Sequence, residues 1–158
     1  MHIAGLPLHP LVVHAAVVLI PLSAVMAAVF ALAPRWRWLT RWPTAALSVA
    51  VVGIGFLATS SGESLEDAVP EHAHAIHEHA ERGDVLSWLL VAFAVVVVLG
   101  AWSLSGGTAL SSGKGEWASR MPALEKVMPF ALVLGALAVL VMVVLVGDSG
   151  ARAVWTKP

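Results

Sequence analysis

The sequence predicts an all-α integral membrane protein: an antiparallel bundle of four transmembrane helices with both termini extracytoplasmic. Three observations predict it. Only 12% of the 158 residues are charged while 59% are hydrophobic, and the mean hydropathy of +0.86 is far from that of a water-soluble domain of this length. Four stretches, 8–34, 42–62, 85–113 and 127–147, carry no Asp, Glu, Lys or Arg, and about 20 apolar residues suffice to cross a bilayer core. The links between them alternate in charge.

Helices are expected near 8–33, 43–60, 85–103 and 127–146, in a single domain over 1–158 with a His- and acid-rich outer link (61–84) and a Gly/Ser-rich inner link (104–126). The first stretch competes with a cleaved signal peptide, because Ala31-Leu32-Ala33 looks like a cleavage motif. Nothing basic precedes it, and its apolar run exceeds the usual signal core of about 7–15 residues, so it is expected to stay attached. The first link holds Arg35, Arg37 and Arg41 without an acid, and the third holds Lys114, Arg120 and Lys126 against Glu116 and Glu125. The middle link carries Glu63, Glu66, Asp67, Glu71, Glu78, Glu81 and Asp84 against Arg82 alone. The positive-inside rule therefore places the basic links in the cytoplasm. Tryptophans 36, 38, 42, 102 and 117 would mark the inner boundary, and Trp88 and Trp155 the outer one.

Small residues recur at helical spacing in Ala24/Ala28, Ala27/Ala31, Ala46/Ala50 and Ala131/Gly135, as expected where helix backbones approach closely in lipid. The absence of cysteine removes disulfides, thiolate chemistry, iron–sulfur ligation and c-type haem attachment. No nucleotide fingerprint or catalytic serine motif is found, and a net charge of −1 argues against nucleic acid as a partner. Whether the protein is an enzyme is left open by the sequence.

All seven histidines fall on the side assigned as outer. Imidazoles are costly in hydrocarbon, so a membrane chain that gathers them uses them as ligands, proton carriers or hydrogen-bonding anchors. His9 precedes Pro10 at the start of helix 1, and His14 lies about 7.5 Å deeper at 1.5 Å per residue. If residues 71–84 are helical, His74, His77, Glu78 and Glu81 share one face and His72, Ile76, His79 and Gly83 the other, in line with Leu86 and Leu90. The first face is a solvated acidic surface or a surface site for zinc or copper, whose ligands suit this spacing. His79 points into the bundle, where His14 would arrive from helix 1. A weak internal symmetry supports that pairing. Each hairpin starts at an outer His and ends in a small-residue acidic motif, His14 to 60–64 and His79 to 147–150.

Three segments, Gly5-Leu6-Pro7-Leu8-His9-Pro10-Leu11-Val12-Val13-His14, His79-Ala80-Glu81-Arg82-Gly83-Asp84 and Gly147-Asp148-Ser149-Gly150-Ala151-Arg152-Ala153-Val154-Trp155, resemble the bacterial membrane family catalogued as domain of unknown function 2231. The resemblance covers nearly the whole chain. It implies four transmembrane helices, a bacterial cytoplasmic membrane and an outer-face polar cluster, without an agreed activity. Some members are joined to Rieske or cytochrome c-like modules, which points toward electron transfer. This chain departs from the family where Ala15-Ala16 follow His14 in place of a frequent aromatic–proline pair, and where Asp148 stands at a common His position.

The leading expectation is a redox-related membrane protein holding b-type haem or a transition metal near its outer face. His14 and His79 are the expected ligands, with His9, Glu63, His72 and Asp148 around them and a quinone as electron partner. The first alternative is a non-catalytic subunit of a respiratory or other membrane complex, its histidines tying helix ends together by hydrogen bonds. The second is a zinc- or copper-handling protein using His74, His77, Glu78 and Glu81.

Overall fold

The computed structural model describes residues 2–3, 6–66, 73–107, 116–117, 119 and 121–155, with side chains described for 11–62, 77–106, 119 and 121–152. The expectations for His72, and for the side chains of His9, Glu63 and His74, lie outside the described residues. So do residues 108–115, 118 and 120 of the Gly/Ser-rich link. Five α-helices follow one another: α1 (Leu8–Leu32), α2 (Arg37–Glu66), α3 (Ala73–Ser103), the single turn α4 (Pro122–Glu125) and α5 (Met128–Trp155). A 3₁₀ turn, Pro34–Trp36, joins α1 to α2. Two minimal antiparallel pairs complete the described elements: β1 (His2–Ile3) with β2 (Leu6–Pro7), and β3 (Gly106–Gly107) with β4 (Glu116–Trp117).

Helices α1, α2, α3 and α5 are each long and apolar enough to cross a membrane. They form a square. α1 packs on α2 and α5, and α3 packs on the same two, so α1 and α3 face each other across one diagonal. Their antiparallel succession brings the starts of α1 and α3 and the ends of α2 and α5 to one end, the histidine end. The other, arginine, end carries the α1–α2 turn and the α3–α5 link.

The helices run past the apolar stretches that announce them. α2 starts at Arg37 rather than near 43, α3 at Ala73 rather than near 85, and α5 continues to Trp155. Hydropathy marks only the part of a helix that sits in hydrocarbon, whereas the i→i−4 ladder continues into the headgroup region. At 1.5 Å per residue the 31 residues of α3 span roughly 46 Å, about the thickness of a whole bilayer. Residues 61–66 and 73–84 of the link expected over 61–84 therefore belong to α2 and α3.

Packing follows the logic of a membrane interior. Large apolar side chains face outward, with Phe130 72% and Val144 68% exposed, which suits lipid and not water. The buried face of α1 is built from Ile20, Ser23, Ala24, Ala27, Phe30 and Ala31. Small residues there let the neighbouring backbones close in. Ala46 and Ala50 are exposed, contrary to the spacing argument, and α2 instead buries Thr44, Ala45, Ser48, Val51 and Gly55. An Ala-x-x-x-Ala spacing cannot distinguish a packed face from one on which alanine is simply tolerated.

At the arginine end one side chain closes the turn. Arg37 is 7% exposed and donates from Nε to the Phe30 carbonyl (3.2 Å), from Nη2 to the Ala31 carbonyl (3.2 Å) and from Nη1 to the Ser105 carbonyl (2.8 Å). The first two belong to the last turn of α1, where carbonyls lack helical partners. Glu125 accepts from the Ser105 hydroxyl and from its backbone N–H. The α1–α2 turn is thus tied to the segment that follows α3.

Candidate functional site at the histidine end

α3 begins with a polar stretch whose faces separate as its periodicity implies. His77, Glu78 and Glu81 are exposed, while His79 is half-buried in line with the buried Leu86 and Leu90. The exposed residues pair along the helix: His77 Nε2 lies 3.4 Å from Glu81, and Arg82 Nη2 donates to Glu78 at 2.5 Å. Both are i, i+4 pairs of the kind worth a few tenths of a kcal/mol on a solvated face.

His79 turns toward α5. Its Nδ1 lies 3.1 Å from the Val146 carbonyl oxygen and 3.2 Å from Ser149 Oγ. The Ser149 hydroxyl itself donates to the Val146 carbonyl at 2.9 Å, and Ser149 is 2% exposed. A carbonyl can only accept, so the Nδ1 proton must be on the ring, shared between Val146 O and the hydroxyl oxygen. In the neutral imidazole the lone pair then belongs to Nε2.

Gly150 completes the seat. A Cβ added there would stand 2.9 Å from His79 Cε1 and 3.2 Å from Nδ1, so only glycine lets the ring lie against the helix. Three residues further along α3, Arg82 Nη1 donates to the Leu145 carbonyl at 3.2 Å. Two consecutive α5 carbonyls, Leu145 and Val146, therefore receive donors from α3 in addition to their helical bonds.

Two other expected participants, His14 and Asp148, are placed apart. His14 is exposed on α1. It lies roughly 140° around the helix from the midline of the buried stripe, counting 100° per residue. The structure thus seats His79 against α5 and leaves His14 on an outward face of a diagonal helix. Asp148 forms an ion pair with Arg152 one turn on, and both are exposed. Among the described residues no group of three or more His, Asp or Glu is gathered as for a metal ion.

Sequence reasoning missed Ser149, Gly150 and Arg82 as the partners that hold α3 to α5. It read 147–150 only as an acidic motif. The available signal was the Ser-Gly dipeptide, which stands at 61–62 and again at 149–150, near the ends of α2 and α5.

A family model described as "Predicted membrane protein (DUF2231)" matches residues 5–157. No curated protein matches the chain, and no solved structure does.

Proposed function

The chain belongs to this family of predicted membrane proteins, and from that premise we propose that it holds a redox cofactor, b-type haem in the first place, at the extracytoplasmic face of a bacterial cytoplasmic membrane. The observation that carries the reading is the fixed tautomer of His79. Ligating histidines characteristically donate the other ring N–H to a carbonyl or carboxylate, which orients the ring and raises the basicity of the free nitrogen. The Val146 carbonyl and Ser149 hydroxyl do this at Nδ1, so coordination by His79 would run through Nε2.

Haem fits the donor count better than zinc or copper. A structural zinc site asks for about four protein ligands, whereas haem iron asks for two axial ones. A second imidazole would come from the start of α1, which supplies His9 and His14. Haem would contribute one-electron chemistry, and His79 would contribute a preoriented axial nitrogen. Respiratory subunits or a quinone are the electron partners that suit such a site.

A second reading is favoured by the same contact: His79 and Arg82 clamp α3 to α5, and the imidazole has no further task. The two readings separate on one preparation. Protein purified in mild detergent from haem-replete cells should show a Soret band and stoichiometric iron under the first reading. Under the second it is colourless and metal-free, and His79→Ala costs only stability.

A further inference from the structure

The two hairpins share a register of buried positions. Adding 70 to each buried position of α1 (Ile20, Ser23, Ala24, Ala27, Phe30, Ala31) gives Leu90, Phe93, Ala94, Val97, Gly100 and Ala101, all buried in α3. Adding 88 to Thr44, Ser48, Val51 and Ser61 of α2 gives Leu132, Ala136, Val139 and Ser149, all buried in α5, while the buried Ala45 and Gly55 correspond to the half-buried Val133 and Val143. Chemistry follows burial in the second pair of helices. Ser61 donates to the Ala58 carbonyl at 3.0 Å as Ser149 donates to that of Val146 at 2.9 Å. Gly62 follows Ser61 as Gly150 follows Ser149. The buried registers thus relate one hairpin to its successor, α1 to α3 and α2 to α5, as a two-fold exchange around the square would.

Under this rotation the counterpart of His79 is His9, and that of Asp84 is His14. Helix depth gives the same assignment independently. His9 lies 23 residues before the last residue of α1, and Ser61 lies 24 residues after the first residue of α2. At 1.5 Å per residue the two are level to within about 2 Å. His14 instead stands about 7.5 Å deeper than His9, and is exposed, as its counterpart Asp84 is. Ala58 and Ser61 each make a further interaction besides the bond between them.

We propose that the Ala58 carbonyl, Ser61 and Gly62 form a second receptor for an imidazole, equivalent to Val146, Ser149 and Gly150, and that His9 is its occupant. The histidine end then offers two imidazole seats, one against α2 and one against α5, for residues on diagonal helices. Arg82 has no counterpart, since Val12 occupies its position, so the α3–α5 seat carries one extra tie. That the two Nε2 atoms serve one cofactor rests on the function proposed above. The seat itself does not.

Because the chain has no native cysteine, paired substitutions read the geometry directly. In native membranes under mild oxidation, His9→Cys with Ser61→Cys should cross-link, as should His79→Cys with Ser149→Cys, while His14→Cys with Ser61→Cys should not. In intact side chains, His9→Ala and Ser61→Ala should lower the detergent melting midpoint non-additively, the double variant melting close to His9→Ala alone. His14→Ala and Ser61→Ala should add. Cross-linking from position 14 rather than 9, or additive losses for the His9/Ser61 pair, overturns the seat. A colourless protein with intact 9–61 cross-linking overturns the cofactor and leaves the seat. In a coloured protein, loss of the band in His14→Ala but not His9→Ala overturns His9 as the second ligand.

Discussion

Gly147 and Gly150 lie three residues apart on α5 and answer different needs. A Cβ at Gly147 would meet nothing within 4 Å, whereas one at Gly150 would press on the His79 ring, which two acceptors hold in place. Gly150→Ala should therefore destabilise the protein by about 1–3 kcal/mol, the usual cost of forcing a packed contact. Gly147→Ala should be neutral or gain up to about 1 kcal/mol of helix propensity. Thermal melting in detergent distinguishes them. In a His79→Ala background the Gly150→Ala penalty should largely vanish. His79 itself was visible in the sequence, because its place on the apolar side of a polar stretch follows from 100° periodicity alone. Its partners were not, because a serine and a glycine carry no signal of which helix they face.

Among the elements, the α1–α2 turn depends on one guanidinium. Arg37 gives the last carbonyls of α1 the donors they lack, and spans to Ser105. Arg37→Met should leave buried acceptors unpaired, each at about 1–3 kcal/mol, and should lower the melting midpoint well below that of Arg35→Met, where the side chain is exposed. The three arginines of this link read alike in the sequence, as topology signals. Only the turn geometry separates the buried one from its neighbours. Helix ends were misjudged for a related reason. Charges at 73–84 looked like a link, yet a charged residue at the membrane surface leaves the backbone ladder intact, and α3 carries its polar turns on the same helix as its apolar ones.

For the whole molecule, the four spans and their antiparallel order were legible from charge-free runs of adequate length, since lipid imposes that requirement on any spanning helix. The square itself was not. Adjacency of α3 to α5, and the diagonal relation of α1 to α3, depend on which faces interdigitate, and apolar faces in lipid carry little sequence signal. Matching by outer position alone paired His14 with His79, while matching by buried register pairs His9 with His79. Orientation is testable in the cysteine-free chain. His77→Cys at the histidine end should react with an impermeant maleimide in intact cells, and Met121→Cys at the arginine end only after permeabilisation. The reverse pattern would place the histidine end in the cytoplasm and remove the extracytoplasmic site.

The central claim is that the tautomer fixed by Val146 and Ser149 prepares the His79 Nε2 atom to bind a cofactor. The most direct measurement is the absorption spectrum and iron content of the purified protein, wild type beside His79→Ala, both shown to be folded. The account predicts a Soret band with about one iron per chain in the wild type, as expected for a haem with two axial imidazoles, and loss of both in the variant. A wild type from haem-replete cells that has neither band nor iron, or a His79→Ala variant that keeps both, would contradict it.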